Sequence, residues 1–599
     1  MITRPLPADF PPVIPTANDC AALPDVAPDG AVGSIQLLSA AAQGLIGLAG
    51  APLLRPVPGP SPQAAPQAKL LDHWIPRFTW RTGPVVITET LFAPIGHQGV
   101  VLVLEASNEG RTRAQTTLGV EGAWEQVALT LFHRRALPVV KTLRPDPWTR
   151  SLAMEALGPL PVAGWAIHAD PEVGLPEAAE TEGVIRFRLI RELTLDPGAH
   201  GAIAFYIGLA REGDGARTTA LDLRRRGWEA LLAQTRAWLQ SRAVGGQGPL
   251  AEMYHRNALF NRFFACGRTI DTDEFVWVTS RSPRYYVSAA FWSRDAFLWS
   301  LPGLLHTDHR AAREALGYAF RVQWRNAGMH AQYLNGGVIY PGFELDELAA
   351  FPVGLAAYLR ATGDASILDE PSVAAAVLEY PQRLRAHRGD CGLYATFLDP
   401  SDDPVAHPFL TYDNVLAWRG LRDVAEVCRR LERDEEVAEA LRMAEELERA
   451  IWRHCVVDGP HGPMFAWAVD GEGAFQLYDN PPGSLLLLPY YGFCASDHPV
   501  HVNTAAWVHS EANPWYFPGR FAAPASAHSP DPWPMAIVNN LLLGRTDGLE
   551  WLARAEMDGG LACETVDQGT GRVKSGGAFA TFAGLLAAAL LQHRQSWPP

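Results

Sequence analysis

The sequence predicts a multidomain protein with both α and β structure: an N-terminal antiparallel β-sandwich followed by a C-terminal (α/α)6 toroid. Three observations predict this fold class. The chain has 599 residues, which exceeds the length of one ordinary domain. Its first third contains short β-branched segments bounded by Gly and Pro, a pattern typical of antiparallel sheets. From about residue 249 onward, about twelve segments have helical spacing, which is compatible with six helical hairpins arranged in a ring.

The domain boundaries follow changes in composition along the chain. Residues 1–70 are rich in Pro, Ala and Gly, and we expect them to form an extended N-terminal arm. The β-sandwich is predicted over residues 71–214. Apolar residues at helical spacing over residues 215–247 indicate a single linker helix. Residues 248–599 form the predicted (α/α)6 domain, which we expect to carry the functional site.

Within this last domain, the long connections between helices are expected to be functional. Helices are predicted over segments that include 288–304, 347–362 and 483–492. Aromatic residues crowd several of the connections, including 276–286 and 397–409. Long loops within a compact helical domain usually serve a function, and a toroid would gather such loops around one opening.

Composition excludes several classes of partner. The formal net charge of −15 disfavours nucleic acid and anionic membrane surfaces, which both require concentrated positive charge. No segment reaches the ~18 uninterrupted apolar residues that a membrane-spanning helix needs. The seven cysteines are scattered and contain no C-x-x-C pair, so we predict neither a disulfide framework nor a zinc site, no bound metal or other cofactor, and a cytoplasmic location. The 19 tryptophans suit a cleft that binds a glycan.

One acidic cluster organises the predicted helical domain. Glu344, Asp346 and Glu347 directly precede an apolar run that is predicted to be a helix. Carboxylates at this position are typical of ordinary helix capping. However, the flanking residues, which include Tyr340, are aromatic, and acids among aromatic rings suit a sugar site, where rings stack on sugar C–H faces and carboxylates supply acid–base chemistry. Capping and catalysis therefore both remain open for this cluster.

Two further motifs combine charge with aromatic neighbours. Arg294 and Asp295 follow Trp292 within an aromatic run, which is typical of a buried Arg–Asp ion pair or of a polar fork that holds sugar hydroxyls. Tyr412 and Asp413 begin a predicted helix, where capping is the stronger interpretation and a sugar subsite the second.

Taken in chain order, the motifs resemble those of the metal-independent exo-acting α-mannosidases. The resemblance covers roughly residues 285–590 and rests on Arg294-Asp295, Glu344-Leu-Asp346, Leu488-Pro-Tyr-Tyr491-Gly-Phe, Asn513-Pro-Trp515-Tyr-Phe-Pro-Gly, His528 with Trp533-Pro, and a late Glu564. A β-sandwich joined by a helix to a toroid is also similar to the glycogen-debranching and glucoamylase-type α-glucosidases.

The resemblance implies an inverting exo-glycosidase that hydrolyses a terminal α-linked sugar, with Asp346 as the general acid and Glu564 as the general base. Such a pair needs one protonated and one ionised carboxyl group with room for a water molecule. The residues that we expect to bind the substrate are Trp292, Arg294, Asp295, Tyr340, Glu344, Glu347, Tyr412, Asp413, Asn480, Tyr491, Trp515, His528 and Trp533.

Departures from the mannosidase motifs leave the sugar open between mannose and glucose. Cys563-Glu564-Thr-Val stands where the mannosidases usually carry His-Glu-Ser-Phe, and Ala296 stands where they carry Ser. Two other functions also remain as alternatives: a glycoside phosphorylase, in which a phosphate site replaces the base, and a glycan-binding protein without catalysis. The expected partner is a small carbohydrate or glycoside, and the sequence leaves the oligomeric state open.

Overall fold

The structure is a computed structural model that describes residues 11–61, 65–159, 161–173 and 176–597. The strands described ahead of the first helix are β1 Thr16–Ala17, β2 Ala22–Leu23, β3 Val32–Ser39, β4 Gly44–Val57, β5 Gln67–Leu71, β6 Ile75–Thr82, β7 Val85–Phe92, β8 Gly99–Asn108, β9 Ala114–Trp124, β10 Gln126–Thr130, β11 Arg134–Ala136, β12 Val140–Asp146, β13 Ser151–Leu157, β14 Pro161–Asp170, β15 Glu177–Thr181, β16 Val184–Leu195 and β17 His200–Ala210.

These strands form two large antiparallel sheets. The first has the order β1-β2-β3-β4-β9-β16-β15, with β10 pairing with β4 and β11 pairing with β10. The second has the order β12-β13-β14-β17-β8-β7-β6-β5. Side chains of both sheets share one buried core, in which the rings of Trp124 in the first sheet and Trp165 in the second meet edge to face with centroids 5.8 Å apart.

The second sheet is apolar on both faces. Along β8, Leu102 and Leu104 belong to the core shared by the two sheets, whereas Val101 and Val103 belong to the core of the helical region. Successive side chains of a strand point to opposite faces, so this continuous apolar run covers both. The second sheet therefore lies between the first sheet and the helices.

The predicted N-terminal arm differs from the structure. Residues 16–57 form the paired strands β1–β4 instead of an extended arm. Their apolar side chains, including Ile35, Leu37 and Leu48, are buried in the core that the two sheets share. The burial of these side chains outweighs the local preference of a segment rich in Pro and Gly for irregular structure.

The described helices are α1 Gly213–Arg226, α2 Trp228–Gln240, α3 Pro249–Phe264, α4 Leu301–Thr307, α5 His309–Val322, α6 Leu345–Thr362, α7 Pro371–Arg385, α8 Thr411–Arg430, α9 Asp434–His454, α10 Pro499–Val508, α11 Pro534–Leu542, α12 Gly548–Arg554 and α13 Ala580–Gln592. Short strands lie between them: β18 Cys266–Arg268, β19 Phe275–Trp277, β20 Met329–Gln332, β21 Val338–Phe343, β22 Phe409–Leu410, β23 Val456–Gly459, β24 Gly462–Phe465, β25 Ala468–Val469, β26 Phe475–Gln476, β27 Tyr516–Phe517, β28 Ala523–Pro524, β29 Thr565–Val566 and β30 Val573–Ser575. Among the residues that the structure describes, no helix has the length and apolar character to cross a membrane.

The linker consists of two helices instead of the single helix predicted. Gly227 separates α1 from α2 with φ of +79°, a conformation that favours glycine. Its N–H donates to the carbonyl oxygens of Leu223 and Arg224, at 3.2 and 3.0 Å, and so ends α1.

The helical region brings its first and last helices together, since α3 packs against α13. Between these two ends, two predicted helices differ from the structure. Over residues 288–304, a π-helical turn at Asp295–Ser300 precedes the short α4. Over residues 483–492, the structure has only short 3-10 turns, at Pro481–Gly483 and Leu485–Leu487. Pro489 lies inside the predicted helix and lacks the N–H group that a continuous helix would need there.

We expect Trp165→Ala to lower the free energy of unfolding by about 3–5 kcal/mol, because it removes a fully buried ring from the contact between the two sheets. Urea unfolding followed by circular dichroism measures the change. Trp148→Ala is the matched control, since Trp148 is 93% exposed, and we expect it to change stability by about 0.5 kcal/mol or less. Equal effects of the two substitutions would contradict the shared core.

Candidate active site

One cavity of the helical region is lined by both titratable and aromatic side chains. The space within and beside it amounts to about 440 Å³, part of which is open to solvent. Its described lining consists of Thr279, Tyr285, Tyr286, Val287, Trp292, Arg294, Asp295, Trp299, Pro400, Ser401, Asp402, Pro482, His528, Trp533, Glu564 and Phe579. Six of the residues predicted from the sequence therefore meet here: Trp292, Arg294, Asp295, His528, Trp533 and Glu564.

Arg294 is the ionic centre of the wall. Its side chain is only 2% exposed, and Nη1 donates to Glu344 Oε2 at 2.7 Å and to Asp346 Oδ2 at 2.9 Å. On the other side of the guanidinium, Nη2 donates to Asp402 Oδ1 at 2.7 Å. Burial opposes its charge, but the surrounding carboxylates raise the pKa of Arg294 well above its usual value. A permanently charged fork thus fixes acids from two segments, the start of α6 and the loop before α8.

Asp346, the predicted general acid, lies behind Arg294 and outside the described cavity lining. Its side chain has no exposed surface, and its Oδ1 accepts from the backbone N–H of Glu347 at 2.8 Å. Glu347 in turn accepts the backbone N–H groups of Ser293 and Arg294 and the Ser293 hydroxyl. A proton donor must reach the glycosidic oxygen, so Asp346 would have to turn from Arg294 towards the cavity to act, and its role as general acid stays a prediction. In this structure, the acidic cluster at the start of α6 holds Arg294.

Asp402 is the carboxylate that reaches the cavity from the loop ahead of α8. Its side chain is 30% exposed, and its backbone adopts φ of +69°, which is uncommon for a residue other than glycine. Burial raises the pKa of Asp402, but the charges of His330, Arg294 and His528 together hold that pKa below its usual value. These positive charges therefore favour the ionised form of Asp402.

The loop that carries Asp402 is held by Asp399 and Asn480. Asp399 Oδ1 accepts the N–H groups of Ser401 and Asp403 at 2.8 and 3.2 Å. Asn480, a predicted substrate ligand, donates to Asp399 Oδ2 at 3.1 Å and accepts from the Ser401 hydroxyl at 2.7 Å. Burial raises the pKa of Asp399 to about 6. Asn480 thus positions the loop and lies outside the described lining.

Glu564 enters the cavity from the loop before α13. It is almost fully buried, and its carboxylate accepts a hydrogen bond from the Ser529 hydroxyl. Its backbone N–H donates to the Gly576 carbonyl at 3.1 Å. Gly576 has φ of +56°, and a Cβ at this position would lie 2.6 Å from Glu564 Oε2. Glycine is therefore required to let the two strands of this loop pack around the carboxylate.

Asp295 and several rings complete the inner wall. Asp295 Oδ1 accepts from the Thr581 hydroxyl at 2.8 Å, and burial raises the pKa of Asp295 to about 7. The rings of Tyr285 and Phe579 stack with centroids 4.6 Å apart. A wall of this kind offers polar groups for hydroxyls and flat faces for C–H groups.

His330 joins the acids behind the cavity. Its Nδ1 hydrogen-bonds Glu344 and lies 3.7 Å from Asp402 Oδ1. The donor atoms of these three residues lie within 4.8 Å of one another, so their chemistry could hold a cation. However, Arg294 already donates to both carboxylates and so supplies positive charge to the acids that a metal ion would bind.

The remaining predicted residues lie outside the described lining. The hydroxyl groups of Tyr412 and Tyr491 are buried and hydrogen-bonded to each other at 3.1 Å. Asp413 is fully buried, and burial raises its pKa well above the usual value. Tyr340 lies at the surface, 38% exposed. Trp515 is partly buried and packs against the main core of the helical region.

Sequence reasoning missed several lining residues. Asp402, Tyr285 and Tyr286 all lie in long aromatic connections that were predicted to be functional, so the loops were identified but not these side chains. The doubled acid Asp402-Asp403 after Pro400-Ser401 was the available signal. Trp299 and Phe579 gave no separate signal, because isolated aromatic residues in helical segments usually belong to the core.

The pH dependence of stability should report on His330. Burial lowers the pKa of His330, but Asp402 and Glu344 raise it to about 9 overall, above the ordinary 6.5. Protonated His330 therefore stabilises the fold fully below pH 6.5 and loses this contribution as the pH rises towards 9. We expect His330→Gln to lower the melting temperature at about pH 6 more than at about pH 9. The same loss at both pH values would show that the charge of His330 does not contribute.

Comparison with known proteins finds similarity to glycosidases. Residues 383–571 match the family model described as metal-independent alpha-mannosidase (GH125). Over 180 residues, the chain is 31% identical to the "Meiotically up-regulated gene 157 protein" of Schizosaccharomyces pombe (strain 972 / ATCC 24843), covering 28% of this chain and 35% of that relative. The chain thus spans about a third of the length of the curated relative that it matches.

Two solved structures share the fold. A metal-independent alpha mannosidase of Streptococcus pneumoniae, in a non-productive complex with alpha-1,6-mannobiose, has a TM-score of 0.52 at 19% identity and covers 58% of this chain and 94% of its own. A bacterial glucoamylase complexed with acarbose has a TM-score of 0.65 at 12% identity and covers 99% of this chain and 96% of its own. These comparisons confirm the predicted resemblance: the chain is similar in fold to these two enzymes, and its residues 383–571 match the model of the metal-independent α-mannosidase family.

Proposed function

We propose that the protein is an inverting exo-glycosidase that removes a terminal α-linked mannose, with Glu564 as the general base and Asp402 as the general acid. One observation carries the proposal: carboxylates from two distant segments line the same cavity, beside a buried arginine and several rings. Two carboxyl groups flanking the scissile bond are the minimum that this chemistry requires.

In the proposed reaction, Glu564 takes a proton from a water molecule as the water oxygen attacks C1 of the terminal sugar. The bond between C1 and the glycosidic oxygen breaks, and Asp402 gives its proton to the leaving oxygen. Nearby positive charges lower the pKa of Asp402 in the empty cavity, so this role requires the bound sugar to raise that pKa by excluding water. The product sugar therefore has the opposite anomeric configuration. Ser529, which donates to Glu564, helps to orient the base, and the Arg294–His330 pair orients Asp402.

Three carboxyl groups compete for the role of proton donor. Asp402 is favoured over Asp346 because its side chain lines the cavity and is partly exposed, as a group at the leaving-group side of an exo-acting pocket should be. Asp295 also lines the cavity and holds its proton up to about pH 7. It is deeply buried beside Arg294, and we assign this pair to the hydroxyls of the terminal sugar.

The choice of mannose is supported by the family model and by the mannobiose in the Streptococcus pneumoniae relative. We further propose the full architecture of an N-terminal antiparallel β-sandwich joined to a C-terminal (α/α)6 toroid. The core shared by the two large sheets supports the sandwich. The packing of α3 against α13 supports a closed ring.

Substitutions should separate the three acids. We expect Glu564→Gln and Asp402→Asn each to lower kcat on α-1,6-mannobiose by about 10²–10⁴-fold, the usual contribution of a positioned acid or base. An aryl mannoside with a good leaving group needs little protonation, so Asp402→Asn should lose far less activity on 2,4-dinitrophenyl α-mannoside, whereas Glu564→Gln should not recover. If Asp346→Asn or Asp295→Asn shows this recovery instead, the donor is not Asp402.

The product anomer tests the mechanism directly. Proton NMR during hydrolysis of α-1,6-mannobiose should show β-mannose first, followed by slow mutarotation. Initial α-mannose would contradict an inverting reaction. The same assay with and without inorganic phosphate separates hydrolysis from phosphorolysis, since a phosphorylase would release mannose 1-phosphate and depend on phosphate. Binding without turnover over long incubation would indicate a glycan-binding protein.

A further inference from the structure

A series of aromatic rings leads from the cavity to the surface. Trp292 lines the cavity, and its ring meets that of Phe132 edge to face with centroids 6.2 Å apart. Phe132 in turn meets Tyr340 at 5.5 Å, also edge to face. Trp292 and Tyr340 both contact the ring of His330, each at 5.5 Å, next to Asp402. The rings therefore surround the same side of the cavity as Asp402.

Phe132 comes from the sheet region, unlike the other rings. It lies in the short connection between β10 and β11, the hairpin that extends the first sheet beside β4. The carbonyl oxygen of the preceding Leu131 accepts the backbone N–H of Ser288 at 2.7 Å. This bond fixes the hairpin connection against the segment that leads to Trp292, so the position of Phe132 is set by both regions of the chain.

Phe397 adds an exposed ring near Tyr340. Its backbone N–H donates to the Phe343 carbonyl at 2.9 Å, beside the end of β21, the strand that carries Tyr340. A Cβ at Gly342 would lie 3.4 Å from Phe397 Cδ1, so the ring packs against this glycine. Phe397 is 60% exposed and Tyr340 is 38% exposed. Large rings exposed together beside a cavity commonly mark a binding surface.

We infer that Phe132, Tyr340 and Phe397, here called the mouth rings, bind the sugar on the leaving-group side of the scissile bond. This inference rests on the proposed function. The occupant is a pyranose ring of an α-linked oligosaccharide, because its C–H face can stack on aromatic rings while its glycosidic oxygen lies at Asp402. The series of ring contacts is continuous with Trp292 in the cavity wall. The sheet region thereby becomes part of substrate recognition.

The test compares two substrates that share the terminal mannose but differ in the leaving group. α-1,6-Mannobiose presents a pyranose to the mouth rings, whereas α-mannosyl fluoride presents none. In Phe132→Ala and Phe397→Ala, we expect the ratio of kcat/KM for mannobiose to that for the fluoride to fall roughly tenfold, the effect of losing one buried aromatic contact. Trp148→Ala, which removes a 93% exposed ring in the sheet region, should leave the ratio unchanged.

An unchanged ratio in both variants would overturn the inference, provided that circular dichroism and melting temperature match those of the wild type. A third substrate, 4-nitrophenyl α-mannoside, carries an aromatic leaving group. If the variants lose kcat/KM relative to the fluoride on this substrate but not on mannobiose, the rings bind aromatic leaving groups and the inference is likewise overturned. If the wild type hydrolyses neither substrate, the proposed function fails. The mouth rings are then tested by calorimetric binding of mannobiose, where an equal Kd for wild type and Phe132→Ala would refute the subsite.

Discussion

The buried guanidinium of Arg294 is the interaction on which the rest of the site depends. It lies between the acids at the start of α6 and Asp402 on the loop before α8, and it is almost inaccessible to water. Several carboxylates this close would repel one another without a shared cation. Removing one partner of such a buried network leaves uncompensated charge, which costs about 3–5 kcal/mol. Arg294 therefore determines both the shape of the cavity wall and the charge of its acids.

The fold brings the loops that carry Glu564 and Asp402 to one cavity and holds each of them in place. The packing of α3 against α13, the helix that follows Glu564, accompanies the meeting of the Glu564 and Asp402 loops at one cavity, although the two residues are 162 positions apart in the chain. Gly576 leaves room for Glu564, and Asn480 holds the loop of Asp402. The two large sheets are not remote from this arrangement, since the β10–β11 connection reaches the cavity mouth.

Much of this arrangement could be predicted from the sequence, because local patterns carry it. The strands β7, β8 and β17 follow β-branched runs. Glu564, a single acid in a loop, was predicted only through the resemblance to the α-mannosidases. The role of Asp346 could not be decided in the same way. An acid at a helix start gives the same sequence pattern whether its side chain faces a cavity or binds a buried arginine. Only the structure, in which Asp346 accepts a hydrogen bond from Arg294, distinguishes these two arrangements. Asp402 was not predicted as a site residue, because its loop has no periodic sequence pattern and is held in place by tertiary contacts.

The most direct test of the account is a crystal structure of the protein with a thio-linked α-1,6-mannobiose, which binds without being cleaved. The account predicts that the terminal ring contacts Arg294 and Asp295, with the carboxyl groups of Glu564 and Asp402 on opposite sides of C1 and about 6.5–9.5 Å apart. A separation of about 5–5.5 Å would indicate a retaining mechanism. A ligand bound outside this cavity, or a linking sulfur nearest to Asp346, would contradict the central claim.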